Sequence, residues 1–206
     1  MTHEQRVTFY NGTLRLEGML AIPAAASQAV VICHPHPQYG GEMDNNVVRG
    51  TAVALQHAGI ATLRFNFRGV GHSDGHYSGG SGEVDDARAA VGFLSDRTGL
   101  TCVTLAGYSF GAMVALRAGH DHAGVDRLIA IAPPVSMFEL TFLNACTKPK
   151  LFLVGDHDQF CPSDALERAV AAFPGDTVVK RLRGADHFLF GSEACAGDEV
   201  VRFLCK

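Results

Sequence analysis

A chain of 206 residues with 47% hydrophobic and 18% charged residues is long enough for one sizeable core and short for two, so a single domain over residues 1–206 is expected. Its net charge of −4, with no basic cluster, argues against a nucleic-acid footprint, and the absence of a spanning-length apolar run argues against a membrane protein. Six cysteines (Cys33, Cys102, Cys146, Cys161, Cys195 and Cys205) show no Cys-x-x-Cys spacing, and Met1 to Gln5 is polar, without an apolar stretch behind a basic start. Free thiols in a reducing, cytoplasmic setting are the expectation, with no zinc site and no cofactor.

Taken in order, Arg6 to Pro23 alternates around Asn11-Gly12, a hairpin signal that predicts an antiparallel start. The apolar run Ala29 to Cys33 reads as a strand covered on both faces. Asn45 to Ala58 follows helical spacing, with Asp44 or Asn45 as N-cap and Gly59 as its stop. A strand over Ala61 to Phe67 precedes a helix starting at Gly82 or Glu83 and running to Thr98, with acidic residues in its first turn and Gly99 at its end. Cys102 to Tyr108 reads as a strand, Phe110 to His120 as a helix, and Arg127 to Ala132 as a strand stopped by Pro133-Pro134. Pro149 to Gly155 and Thr177 to Leu182 are further strands, Ser163 to Phe173 and Asp198 to Lys206 further helices. Such alternation predicts an α/β fold, a mostly parallel sheet with helices on both faces. The stretch from Pro133 to Lys148 has room for a loop and a short helical turn only, so no large cap domain is expected there.

The most informative stretch is Gly107-Tyr108-Ser109-Phe110-Gly111, at a strand-to-helix junction. A serine on so tight a turn is held in a strained conformation with its hydroxyl exposed, and the glycines two residues away supply the missing Cβ atoms that the turn requires. In open parallel sheets, sites form beyond the carboxyl ends of the strands. Gly155-Asp156-His157-Asp158 and Gly184-Ala185-Asp186-His187 follow two such ends, so serine, acid and histidine occur in the order Ser109, Asp158, His187. That order is the one a nucleophile, orienting acid and base take on this kind of sheet. Asp158 is preferred over Asp156, which directly follows the strand-end glycine, but Asp156 stays open as the acid. His157 and Asp186 read as turn residues.

A developing oxyanion needs donors, and the N–H of Phe110, the residue after the nucleophile, is the first. The second is sought in His34-Pro35-His36-Pro37, where the prolines carry no N–H and His34 still sits at the strand end, leaving His36. The paired histidines lack a third ligand, so no metal is assigned to them. Tyr39, Met137, Phe138, Phe142, Phe160 and Phe188 fall in loops near the expected mouth and are candidates for an acyl pocket. The glycines of Arg64 to Ser73 match neither a P-loop nor a dinucleotide fingerprint, and a structural turn tied by Arg68 is the reading there.

On these residues the chain resembles the α/β-hydrolase superfamily from about Leu14 to the C-terminus. Gly107 to Gly111 is similar to its nucleophile elbow, Gly155-x-x-Asp158 to its acid turn, and His187 to its base. The loop His34-Pro35-His36-Pro37 with Gly40-Gly41 and Asn46, and the run Arg64 to Gly71, resemble a small lidless bacterial branch, related in style to dienelactone hydrolases. The commoner pattern has His-Gly in place of His34-Pro35 and an Asp in place of Asn66; the latter departure is expected to touch only a structural turn. The resemblance implies hydrolysis of an ester or related acyl bond. The expected activity is that of a carboxylesterase-like serine hydrolase taking a small-molecule ester as its partner. A thioesterase or peptidase using the same triad, and a non-catalytic binding module, are the rivals.

Overall fold

A computed structural model describes residues 3–206. Its centre is an eight-stranded sheet in the order β1-β2-β4-β3-β5-β6-β7-β8. Strands β1 (Gln5–Asn11) and β2 (Leu14–Ala21) form an antiparallel hairpin, and β2 joins β4 (Ala61–Phe65) antiparallel. The remaining pairings are parallel and join β3 (Ala29–Cys33), β4, β5 (Val103–Tyr108), β6 (Val125–Ile131), β7 (Lys150–Gly155) and β8 (Thr177–Leu182).

Burial explains why the central strands read as unbroken apolar runs. Every residue of β3, β4 and β5 is buried, and successive residues serve opposite faces. Val31, Cys33 and Leu105 join one core with α2 (Ser81–Thr98), α3 (Phe110–Gly119) and α4 (Ser163–Val170). Val30, Ile32 and Ala106 join the other, under α1 (Asn46–His57) and α5 (Glu193–Leu204). A fully buried Leu, Ile or Phe side chain contributes about 1.5–3 kcal/mol by leaving water, so these two layers hold β5 rigidly in the middle.

Several boundaries move for identifiable reasons. Asn11 pairs with Leu14, so the hairpin turn is Gly12-Thr13, with the positive φ of 59° taken by Gly12. The strand expected to reach Phe67 stops at Phe65, because the Phe67 N–H turns to the His34 ring (3.1 Å) while the Asn66 side chain bonds Glu17 on β2 and the Met43 N–H in the loop before α1. The last helix starts at Glu193, five residues before Asp198. Its first turns pack through Ala196 and Gly197, and a Cβ at Gly197 would lie 2.7 Å from that of Ala54 on α1. Small residues chosen for close approach carry little hydropathy signal, so the start was hidden. Between Pro133 and Lys148 the chain forms a loop and one 3₁₀ turn over Thr141–Ala145. No described helix is long and apolar enough to cross a membrane, and all six cysteines are free.

Candidate active site

The site is built on the carboxyl ends of β3, β5, β7 and β8. At the end of β5 the chain reverses into α3 through Ser109, at φ 54° and ψ −120°. Such a conformation costs a non-glycine residue on the order of 1–3 kcal/mol and persists only when its surroundings impose it. They do so here by proximity. A Cβ on Gly107 would lie 2.1 Å from the Gly111 carbonyl oxygen, and one on Gly111 would lie 2.4 Å from the carbonyl oxygens of Cys33 and His34. The Ser109 N–H is meanwhile held by the Ile131 carbonyl at 2.9 Å.

Ser109, His187 and Asp158 lie in one hydrogen-bonded line. Ser109 Oγ is 3.0 Å from His187 Nε2, and His187 Nδ1 is 2.9 and 3.0 Å from the two Asp158 oxygens. A carboxylate only accepts, so Nδ1 carries the proton and Nε2 is left to accept from the serine hydroxyl. Asp158 is buried and further fixed by the N–H groups of Phe160 and Cys161, at 2.8 and 2.9 Å from Oδ1. Asp156 points elsewhere and accepts from the Gly184 N–H at 2.8 Å. His157 is exposed, and Asp186 accepts from the N–H groups of Phe188 and Leu189 within its turn. Burial, then the nearby Asp158, push the Cys161 thiol up to about 12, so it stays protonated beside the acid.

Phe110 opens α3, where a first-turn N–H has no intrahelical acceptor. The His36 ring packs on the Phe110 ring at a centroid distance of 4.7 Å, which sets the loop after β3 beside the start of α3. His36 Nδ1 caps the 3₁₀ turn Pro37–Tyr39 by accepting from the Gln38 N–H at 3.2 Å, and its Nε2 lies 3.1 Å from the Tyr77 hydroxyl. Desolvation holds its pKa below the usual histidine value, against the pull of Glu83. His34 has a different task. Its Nδ1 lies 2.6 Å from the Pro35 carbonyl oxygen and its Nε2 accepts from the Phe67 N–H. Both nitrogens are thus committed, and burial lowers its pKa to about 4. Among the described residues no group of three His, Cys, Asp or Glu side chains is placed to hold a metal.

The aromatic candidates divide. The Phe160 ring stands edge-on to His187 at 4.8 Å and Phe188 at 5.8 Å. Tyr39 rests on His36 at 4.9 Å and is 87% exposed. Phe138 and Phe142 line a cavity of about 470 Å³ that also touches Phe110 and Met113, and Met137 faces a separate cavity of about 570 Å³ with Val135 and Phe173. Two contributors escaped the sequence reading. Tyr108 donates its hydroxyl to the His187 carbonyl at 2.9 Å, and Tyr77 packs with His36 and Phe110. Neither contact has a local signature, because each partner is distant in the chain.

With this geometry in view, residues 24–148 match the model of a family described as serine aminopeptidase, S33. The chain belongs to the α/β-hydrolase superfamily. A solved α/β serine hydrolase homologue from Coxiella burnetii is 35% identical, with a TM-score of 0.90 over 99% of this chain and 98% of that one. A lidless α/β serine hydrolase from Xanthomonas campestris is 28% identical, with a TM-score of 0.88 over 100% and 95% of the two chains. An uncharacterized protein of Rickettsia prowazekii is 34% identical over 191 residues, covering 87% of this chain and 80% of its own. The α/β-hydrolase fold and its mostly parallel sheet, read first from alternating elements, are thus shown, and membership places the chain among serine hydrolases.

Proposed function

We propose that this α/β-hydrolase is a carboxylesterase-like enzyme that cleaves small to medium carboxylic esters through an acyl-enzyme. Ser109 Oγ attacks the acyl carbon while its proton passes to His187 Nε2. Asp158 holds the imidazole in the required tautomer and offsets the charge that develops on it. The N–H groups of Phe110 and His36 receive the oxyanion, His187 returns the proton to the departing alcohol, and water then repeats the sequence to release the acid. The observation that carries this reading is the 3.0 Å approach of Ser109 Oγ to His187 Nε2 at a strained elbow, with the buried Asp158 on the far nitrogen.

Ser109→Ala should abolish both ester turnover and labelling by a fluorophosphonate probe. Labelling retained at another residue would overturn the assignment, and no labelling of the unaltered protein would favour a non-catalytic binding module. A second reading has its own support, since the matched family is described as a serine aminopeptidase. Matched ester, thioester and amide substrates of one acyl group separate an esterase from a thioesterase or peptidase.

A further inference from the structure

The cavity beside Phe110 has a chemistry that general ester hydrolysis does not require. Its walls include Val84 from α2, Phe110 and Met113 from α3, and Phe142 from the 3₁₀ turn. These are apolar, but Arg117 of α3 and His120, which caps the end of that helix, also face it. Phe110, Met113, Arg117 and His120 follow one another at three- and four-residue steps, so a single helix face runs along the cavity from the nucleophile end. From Phe110 to Arg117 that face spans about 10 Å.

Arg117 is placed for a ligand rather than for an internal ion pair. Its guanidinium carbon lies 4.8 Å above the centre of the Phe142 ring, an arrangement that orients the cation without neutralising it. Among the described residues it has no carboxylate partner, while nearby Asp121 is paired with Arg88 at 2.8 Å. His120 turns its Nδ1 to the Arg117 carbonyl oxygen at 2.9 Å and its ring edge-on to Phe142 at 5.3 Å, closing the same end. Glu83, the acid near the opposite end, is buried and accepts from the N–H groups of Ser78 and Gly80. The cavity therefore offers an apolar trough and, on its solvent-exposed rim, one cation with no carboxylate partner among the described residues.

We propose that this cavity binds an arm of the substrate that is apolar along its length and ends in an anion, such as the far carboxylate of a half-ester of a dicarboxylic acid. Arg117 pairs with the terminal carboxylate as a specificity-determining residue. This rests on the esterase reading above, because Phe110 supplies both the cavity's inner wall and the proposed oxyanion N–H.

The test compares p-nitrophenyl hydrogen adipate with p-nitrophenyl hexanoate, which share an acyl chain length and differ in the terminal charge. The unaltered protein should prefer the anionic ester in kcat/KM, and the preference should shrink as salt is raised. Arg117→Gln should lower the anionic-to-neutral ratio by about tenfold, the scale of one lost charge-assisted contact, with Arg117→Lys restoring part of it. A ratio unchanged by Arg117→Gln, with Ser109-dependent cleavage of both esters, would overturn the inference and leave the esterase reading intact. Calorimetric binding of adipate to Ser109→Ala protein gives a readout that needs no turnover. Binding weakened by adding Arg117→Gln supports Arg117 as the partner of the anion without appeal to turnover, and adipate binding indifferent to Arg117 rejects it.

Discussion

The Tyr108 hydroxyl donates to the His187 carbonyl at 2.9 Å, tying the residue before Ser109 to the histidine that faces it across 79 positions of sequence. This buried bond sets the height of the imidazole over the elbow. Burial raises the phenol's pKa well above its usual value, with Asp158 and Asp186 adding to the effect, so it remains a donor throughout the working range. Tyr108→Phe should leave the carbonyl unpaired at a cost of about 1–3 kcal/mol. It should also lower kcat by about tenfold through misplacement of His187, with little change in KM. Denaturant titration and steady-state kinetics on one preparation check both.

The competition between two acids is decided by comparing two substitutions. Asp158→Asn keeps the shape of the side chain but offers an amide to His187 Nδ1, which favours the wrong tautomer, and kcat should fall by about 10³–10⁴. Asp156→Asn alters contacts to the Gly184 N–H and the exposed His157 ring, neither of which reaches His187, and should cost less than about tenfold. Burst kinetics with a chromogenic ester measure both.

The elbow glycines and a helix glycine should respond with opposite signs. Gly107→Ala drives a Cβ to 2.1 Å from a backbone carbonyl that cannot step aside, and a loss of about 2–4 kcal/mol is expected. Gly92, in the middle of α2, has nothing within 4 Å of an added Cβ, and Gly92→Ala should stabilise by about 0.5–1 kcal/mol. Thermal melts of the two variants beside the parent give the comparison.

His34 makes stability depend on pH below neutrality. Its folded pKa of about 4 lies below the ordinary value of 6.5, so between these limits the unfolded chain binds a proton that the folded chain does not. The contribution is complete above pH 6.5 and is lost as the pH falls toward 4, by about 3 kcal/mol in all. In His34→Gln this component of the slope should vanish, which urea titrations at stepped pH would detect as a flatter profile than the parent's.

How much of this could be read from the chain depended on how local each cause is. Ser109, Asp158 and His187 each follow a strand within a few residues, so chain order and turn glycines were enough to nominate them. Tyr108 and Arg117 act on partners brought close only by the sheet, and nothing beside them in the chain marks them. Asn66 is the most instructive case. The commoner family residue there is Asp, and a purely structural turn was expected. In the fold Asn66 donates to the Glu17 carboxylate at 2.8 Å and accepts from the Met43 N–H at 2.8 Å, and Glu17 also accepts from the His72 N–H at 2.7 Å. An aspartate cannot make the first of these bonds, so the exchange is matched to Glu17 across the sheet. Arg64 and Arg68 likewise stabilise the loops through Glu4, Asp44 and Asp86, pairings that hydropathy does not encode.

Ser109 and His187 are anchored very differently. Ser109 rises from β5, flanked by neighbours on both sides, whereas His187 follows β8, an edge strand paired only to β7 and with Leu182 as its one buried residue. Edge elements of this kind open at a fraction of the global unfolding free energy. Peeling back the final strand would withdraw His187 from Ser109 while the central sheet stayed intact. On the proposed esterase reading, heat or denaturant should therefore silence Ser109 before the bulk of the molecule melts, making its labelling a sensitive gauge of whether the last strand is in place.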